Sequence, residues 1–74
     1  MSRLPSLSAK DLIKALLKAG FIMERQKGSH LRLYHPVNKR QTVVPMHSGD
    51  VPRGLLKGII KQAGLTEEEF RNLL

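Results

Sequence analysis

His30, Arg32 and Tyr34 recur at every second position of an alternating run, a spacing that puts an imidazole, a guanidinium and a phenol on one side of an extended strand. The intervening Leu31 and Leu33 face the other way and belong to a core. The three polar side chains suit a phosphodiester: Arg clamps phosphate, Tyr stacks on a base or donates a hydrogen bond, and His moves a proton near neutral pH. RNA carries its own nucleophile in the ribose 2′-OH, so cleaving it needs a base, a charge stabiliser and an acid for the leaving oxygen. A lone strand histidine can equally be an ordinary exposed polar residue.

Two further histidines can supply an acid: His35, just before Pro36, and His47, in a loop. The three histidines lie 5 and 12 residues apart with no carboxylate cluster nearby, a poor pattern for zinc, and neither a metal nor another cofactor is expected. The chain has no cysteine, which removes disulfides, thiolate nucleophiles and cysteine-based zinc sites, and fits a reducing compartment. No Walker A or dinucleotide pattern occurs, and the glycines are those of turns and caps. The stretch from Met1 to Leu7 has no apolar core of leader length and no run approaches a membrane span, so the expected location is the cytoplasm, with no membrane partner.

Thirteen Lys and Arg against six Asp and Glu give a formal charge of +7. Glu67, Glu68 and Glu69 stand together near the C-terminus, which leaves twelve basic residues and only Asp11, Glu24 and Asp50 in residues 1–65, a net +9. Such a field draws in a polyanion. It also serves solubility or an acidic protein partner. At 74 residues the chain makes a single domain, 1–74, without room for a deep cavity, so a site must lie on an open face or in a shallow groove.

The elements that position these residues follow from periodicity. Ser8 caps a helix with Asp11 at its third position, an apolar face of Leu12, Ile13, Leu16 and Leu17, and an end at Gly20; Lys10, Lys14 and Lys18 line its polar side. From Phe21 the period becomes two, with Phe21 and Met23 alternating against Ile22 and Glu24. A turn at Lys27-Gly28 leads to a second strand over residues 29–35 and, past Pro36–Lys39, to a third over Arg40–Val44 that stops at Pro45. Asp50 is the expected N-cap of a second helix, with Leu55, Leu56, Ile59, Ile60 and Ala63 as its apolar side, Arg53, Lys57 and Lys61 as its polar side, and Gly64 as its end. A short last helix begins at Thr66, with Glu69 completing a capping box, Leu65 stapled against Phe70, and Phe70, Leu73 and Leu74 for docking. The expected class is α+β, in the order α-β-β-β-α, with a three-stranded antiparallel sheet covered on one face by the two main helices.

Gly28-Ser29-His30, the following Leu-Arg-Leu-Tyr-His-Pro run to Pro36, the Val43-Val44-Pro45-Met46-His47 segment and the Gly54–Gly64 helix, taken together, resemble the HicA (YcfA-like) family of toxins from prokaryotic toxin–antitoxin pairs. The resemblance runs from about Ser8 to the C-terminus. It implies a fold like the double-stranded RNA-binding domain, an mRNA interferase that needs no metal, and a HicB antitoxin as partner. It also implies that His30 is the catalytic histidine and that His47 lies near the site.

Combining the two lines, His30 is the expected general acid or base, with Lys27 and Arg32 on phosphate. Gly28, Ser29, Tyr34 and His47 line the site, and Arg53 and Lys57 hold flanking RNA backbone. The alternative is a non-catalytic RNA-binding module of the same fold that straddles phosphates with its two basic helix stripes. A third reading makes the positive face a surface for an acidic protein. Alone, the chain is expected to be a monomer or a weak dimer formed through an open sheet edge.

Overall fold

Ser8 opens the first helix as its position requires: its Oγ accepts a hydrogen bond from the Asp11 N–H at 3.2 Å, and α1 spans Ala9–Lys18. The computed structural model describes residues 4–74, so residues 1–3 of the stretch read as lacking a leader lie outside the described residues. After α1 come β1 (Ile22–Lys27), β2 (His30–Tyr34), β3 (Gln41–Pro45), α2 (Arg53–Gln62) and α3 (Glu67–Arg71). The order is the expected α-β-β-β-α, with a short C-terminal helix. The sheet is antiparallel in the order β1-β2-β3. Among the described residues no helix is long and apolar enough to cross a membrane.

One face of the sheet is the core. Leu31, Leu33, Thr42 and Val44 are buried there beneath Leu12, Leu16, Leu56, Ile59 and Ile60 of the two main helices. The helices pack against β3 and leave β1 with β2 as its main neighbour. That is why every residue of β1 is exposed, and why Met23 is 58% accessible although it pairs with the buried Leu33. Phe21, one residue before the strand, is buried.

Several local expectations are corrected by packing. Leu17 and Leu55 are exposed, because α1 is buried along Ala9, Leu12, Ile13, Ala15 and Leu16 and α2 along Leu56, Ile59 and Ile60, which turns both leucines to the flank of their helix. Asp50 does not cap α2. The N-cap is Pro52, without a side-chain cap bond, while Asp50 is held in a bridge to Ser8 and the next residue, Val51, donates its N–H to the Leu7 carbonyl at 2.7 Å. Pro45 ends β3 from within, paired with His30; β3 is an edge strand, where a missing ladder donor is tolerated. Leu74 is also exposed, whereas Phe70 is fully buried and Leu73 and Leu65 pack against the core.

The C-terminal helix follows its sequence closely. Thr66 Oγ1 accepts from the Glu69 N–H at 3.0 Å, and the Glu69 carboxylate accepts from the Thr66 N–H at 2.8 Å. The three glutamates thus sit at the positive end of the helix dipole. Among the described residues no buried side-chain polar atom lacks a hydrogen-bond partner.

Candidate functional site

The uncovered face of the sheet is built row by row from the strand register. Tyr34 lies between Ile22 and Gln41, Arg32 between Arg25 and Val43, and His30 between Lys27 and Pro45. The alternation read from the sequence therefore places His30, Arg32 and Tyr34 on the open side, with Leu31 and Leu33 buried behind them.

The hairpin turn is Gly28-Ser29, one residue later than expected, so that Lys27 is the direct partner of His30. Gly28 takes φ +59, the sign at which the first residue of a two-residue loop prefers glycine, and a side chain at this backbone angle is strained. The Ser29 carbonyl accepts the Met46 N–H, which ties the end of β3 to this turn and brings the following His47 to the same end of the sheet.

Two shallow depressions meet at His30. The first, about 650 Å³, is lined by Arg25, Lys27, Gly28, Ser29, His30, Arg32 and Val43: three cations and no carboxylate. The second, about 430 Å³, shares His30 and Val43 and adds Pro45, His47, Asp50, Pro52 and Leu55 among its walls. His30 thus stands on the boundary between a basic wall and a largely apolar one that also carries a second imidazole. A phosphodiester held on the basic side has His30 beside it, and an adjoining base has an apolar surface to rest on.

Of the residues expected at the site, Lys27, Gly28, Ser29, His30 and Arg32 line the first depression and His47 the second. Tyr34 is half-buried on the same face but lines neither; four residues from His30, it stands about 13 Å along the strand. Lys57 is exposed on α2, away from both depressions. Arg53 lines neither, and its guanidinium donates to the Leu4 carbonyl, which fastens the N-terminal segment to α2.

His35 has a structural role. Its Nδ1 accepts from the Val37 and Asn38 N–H groups, each at 3.2 Å, which leaves Nε2–H to donate to the Ala19 carbonyl at 3.1 Å. Its ring meets Phe21 edge-on with centroids 5.0 Å apart. Both nitrogens are engaged in holding the β2–β3 loop against the end of α1, so His35 is withdrawn from proton transfer on the open face.

Sequence reading missed Arg25, Val43, Pro45, Asp50 and Leu55 at the site. Arg25 was legible in one way. With the turn at Gly28-Ser29 and Lys27 opposite His30, counting back two residues from Lys27 reaches Arg25 on the same face. Among the described residues no three His, Cys, Asp or Glu side chains gather into a group able to hold a metal ion.

No curated protein matches the chain. The family model described as the HicA toxin of bacterial toxin–antitoxin matches residues 9–65, from the start of α1 to just past α2. That span takes in the whole sheet and both depressions at His30, and the chain belongs to the HicA family of toxins, with a toxin's role opposite an antitoxin.

Proposed function

We propose that this toxin is an endoribonuclease that cleaves mRNA, with His30 as its general acid or base. The observation that carries the reading is the placement of His30 on an open face between Lys27 and Pro45, within a depression whose other charged side chains are all cations. The ribose 2′-OH gives up its proton and its oxygen attacks the adjacent phosphorus. The bond from phosphorus to the 5′-oxygen breaks, and that oxygen takes a proton. The products are a 2′,3′-cyclic phosphate and a 5′-hydroxyl.

Two proton-transfer groups serve these steps. His30 is one, and His47 is the histidine left for the other, since the ring of His35 is occupied by backbone partners. Lys27 and Arg32 oppose the charge that builds on the non-bridging oxygens. Gly28 and Ser29 shape the approach, Tyr34 contacts RNA further along β2, and Lys57 and Arg53 hold flanking backbone from α2. A HicB-type antitoxin would silence the toxin by binding it. None of these steps calls for a cofactor.

Purified wild-type protein and its His30→Ala variant, incubated with mixed-sequence RNA in chelator, provide the test. Wild type should leave 2′,3′-cyclic phosphate ends, while His30→Ala should bind RNA and cut it roughly 10²- to 10⁴-fold more slowly. Equal cutting by the variant would remove His30 from the chemistry. Intact RNA recovered from folded, RNA-bound wild type would leave a binding module.

A further inference from the structure

β1 alternates acid or amide with base: Glu24 and Gln26 against Arg25 and Lys27. The ladder begins with Ile22 opposite Tyr34 and Met23 opposite Leu33. Continued without interruption, it would set Glu24 opposite Arg32 and Gln26 opposite His30. Instead the register slips by one residue at Glu24, and the partners become Arg25 with Arg32, Gln26 with Leu31 and Lys27 with His30. One inserted residue thus exchanges a carboxylate and an amide for two cations at the row that holds His30 and the row beside it.

Like charges directly opposite each other destabilise a strand pair, so a regular ladder with Glu24 against Arg32 would serve the sheet better. The slip places two guanidinium groups opposite each other, and neither Glu24 nor Gln26 lines the depression they share. An anion lying between the two groups reverses the sign of that repulsion, and the planar donor fork of Arg fits a phosphate through paired hydrogen bonds. Arg32 stands two residues from His30, about 6.6 Å along β2, a separation comparable to the step between successive phosphates of an extended RNA strand.

We infer that the bulge at Glu24 builds a second phosphate subsite, in which Arg25 and Arg32 bind the backbone phosphate one nucleotide away from the one beside His30. The inference rests on RNA being the ligand of this face, as in the proposed function, but not on cleavage. Phosphate contacts fix register without reading sequence, so the subsite sets which phosphodiester arrives at His30.

The test measures binding of a fluorescent single-stranded oligoribonucleotide over a series of salt concentrations, in the His30→Ala background so that cutting does not interfere. Adding Arg25→Ala should weaken binding roughly tenfold or more and flatten the plot of log affinity against log salt by about 0.7. Arg25→Lys should recover the slope. Arg71→Ala, in the last turn of α3 and outside both depressions at His30, removes the same charge and should leave the slope unchanged. Equal effects of Arg25→Ala and Arg71→Ala would overturn the subsite.

Two single-residue deletions probe the bulge itself. Deleting Glu24 straightens the strand while keeping Arg25 opposite Arg32, and should retain affinity and slope. Deleting Gln26 straightens it with Glu24 opposite Arg32, and should lose affinity at least as far as Arg25→Ala although the net charge is unchanged. Both positions are exposed on an edge strand, and thermal unfolding verifies that each variant folds. Comparable RNA binding by the two deletions would refute the role given to the bulge. If wild type fails to cut RNA while Arg25→Ala still flattens the slope, the subsite stands and the cleavage reading falls; if the His30→Ala protein does not bind RNA at all, both fall.

Discussion

The imidazole of His35 and the carbonyl of Ala19 are joined by a hydrogen bond of 3.1 Å that links the β2–β3 loop to the C-terminal end of α1. Gly20, immediately after Ala19, has φ +103, and a Cβ placed there would come within 2.7 Å of His35 Nε2. The glycine and the histidine are therefore one device: the first turns the chain out of α1 and leaves the space that the second fills.

His35→Ala should lower stability by about 1–3 kcal/mol through the loss of three hydrogen bonds at a partly buried ring. Gly20→Ala should cost a similar ~1–3 kcal/mol from backbone strain and the clash. In the double variant the clash is gone, so the two costs should sum to at least ~0.5 kcal/mol less than additivity requires. Denaturant unfolding of the four proteins measures this, and strict additivity would show that the contact carries no energy.

The three histidines should separate by phenotype. His47→Ala should slow RNA cleavage roughly 10²- to 10⁴-fold with binding and melting temperature retained, as expected of a proton-transfer group on an exposed loop. His35→Ala should do the reverse, lowering the melting temperature by roughly 4–8 °C per kcal/mol while each folded molecule cuts normally. Cleavage rates with melting curves on the same preparations distinguish these outcomes. A His47→Ala protein that cuts at the wild-type rate would leave the second proton-transfer role unfilled by histidine.

Leu16 and Leu17 are neighbours of one type on α1 with different surroundings, fully buried against 39% accessible. Leu16→Ala should cost ~2–5 kcal/mol, as a core truncation that leaves a cavity. Leu17→Ala should cost under ~1 kcal/mol. Midpoints of chemical denaturation give both values, and a larger loss at Leu17 would place the helix on its other flank.

Thr42, only 2% accessible, donates its hydroxyl to Gln62 Oε1 at 2.9 Å and fastens β3 to the last turn of α2. Thr42→Val removes the donor and leaves the exposed Gln62 to water, at a cost of ~0.5–1.5 kcal/mol. Gln62→Ala strands the buried hydroxyl instead and should cost more, ~1–3 kcal/mol, although alanine is the better helix former. Equilibrium unfolding ranks the two variants, and the reverse order would mean that Thr42 finds another acceptor.

Sequence alone determined the elements and the identity of the open face. Ser8 before an apolar period, the Thr66–Glu69 capping box and the alternation of His30, Arg32 and Tyr34 against Leu31 and Leu33 are local signals, set by backbone donors and by the two-residue pleat, and each is realised as read. Tertiary structure decided what local periodicity does not carry. The roll of each helix against the sheet exposed Leu17 and Leu55, and the bridge between Ser8 and Asp50 took Asp50 away from α2. Three similar histidines were sorted by which nitrogens meet backbone partners. The slip at Glu24 had the largest consequence, because a one-residue shift in a strand exchanges its faces: the pairing that begins at Ile22 and Met23 would bring Glu24 opposite Arg32, whereas the pairing that leaves the Gly28-Ser29 turn brings Arg25 there. Such a shift belongs to the pairing between two strands, and neither strand states it alone.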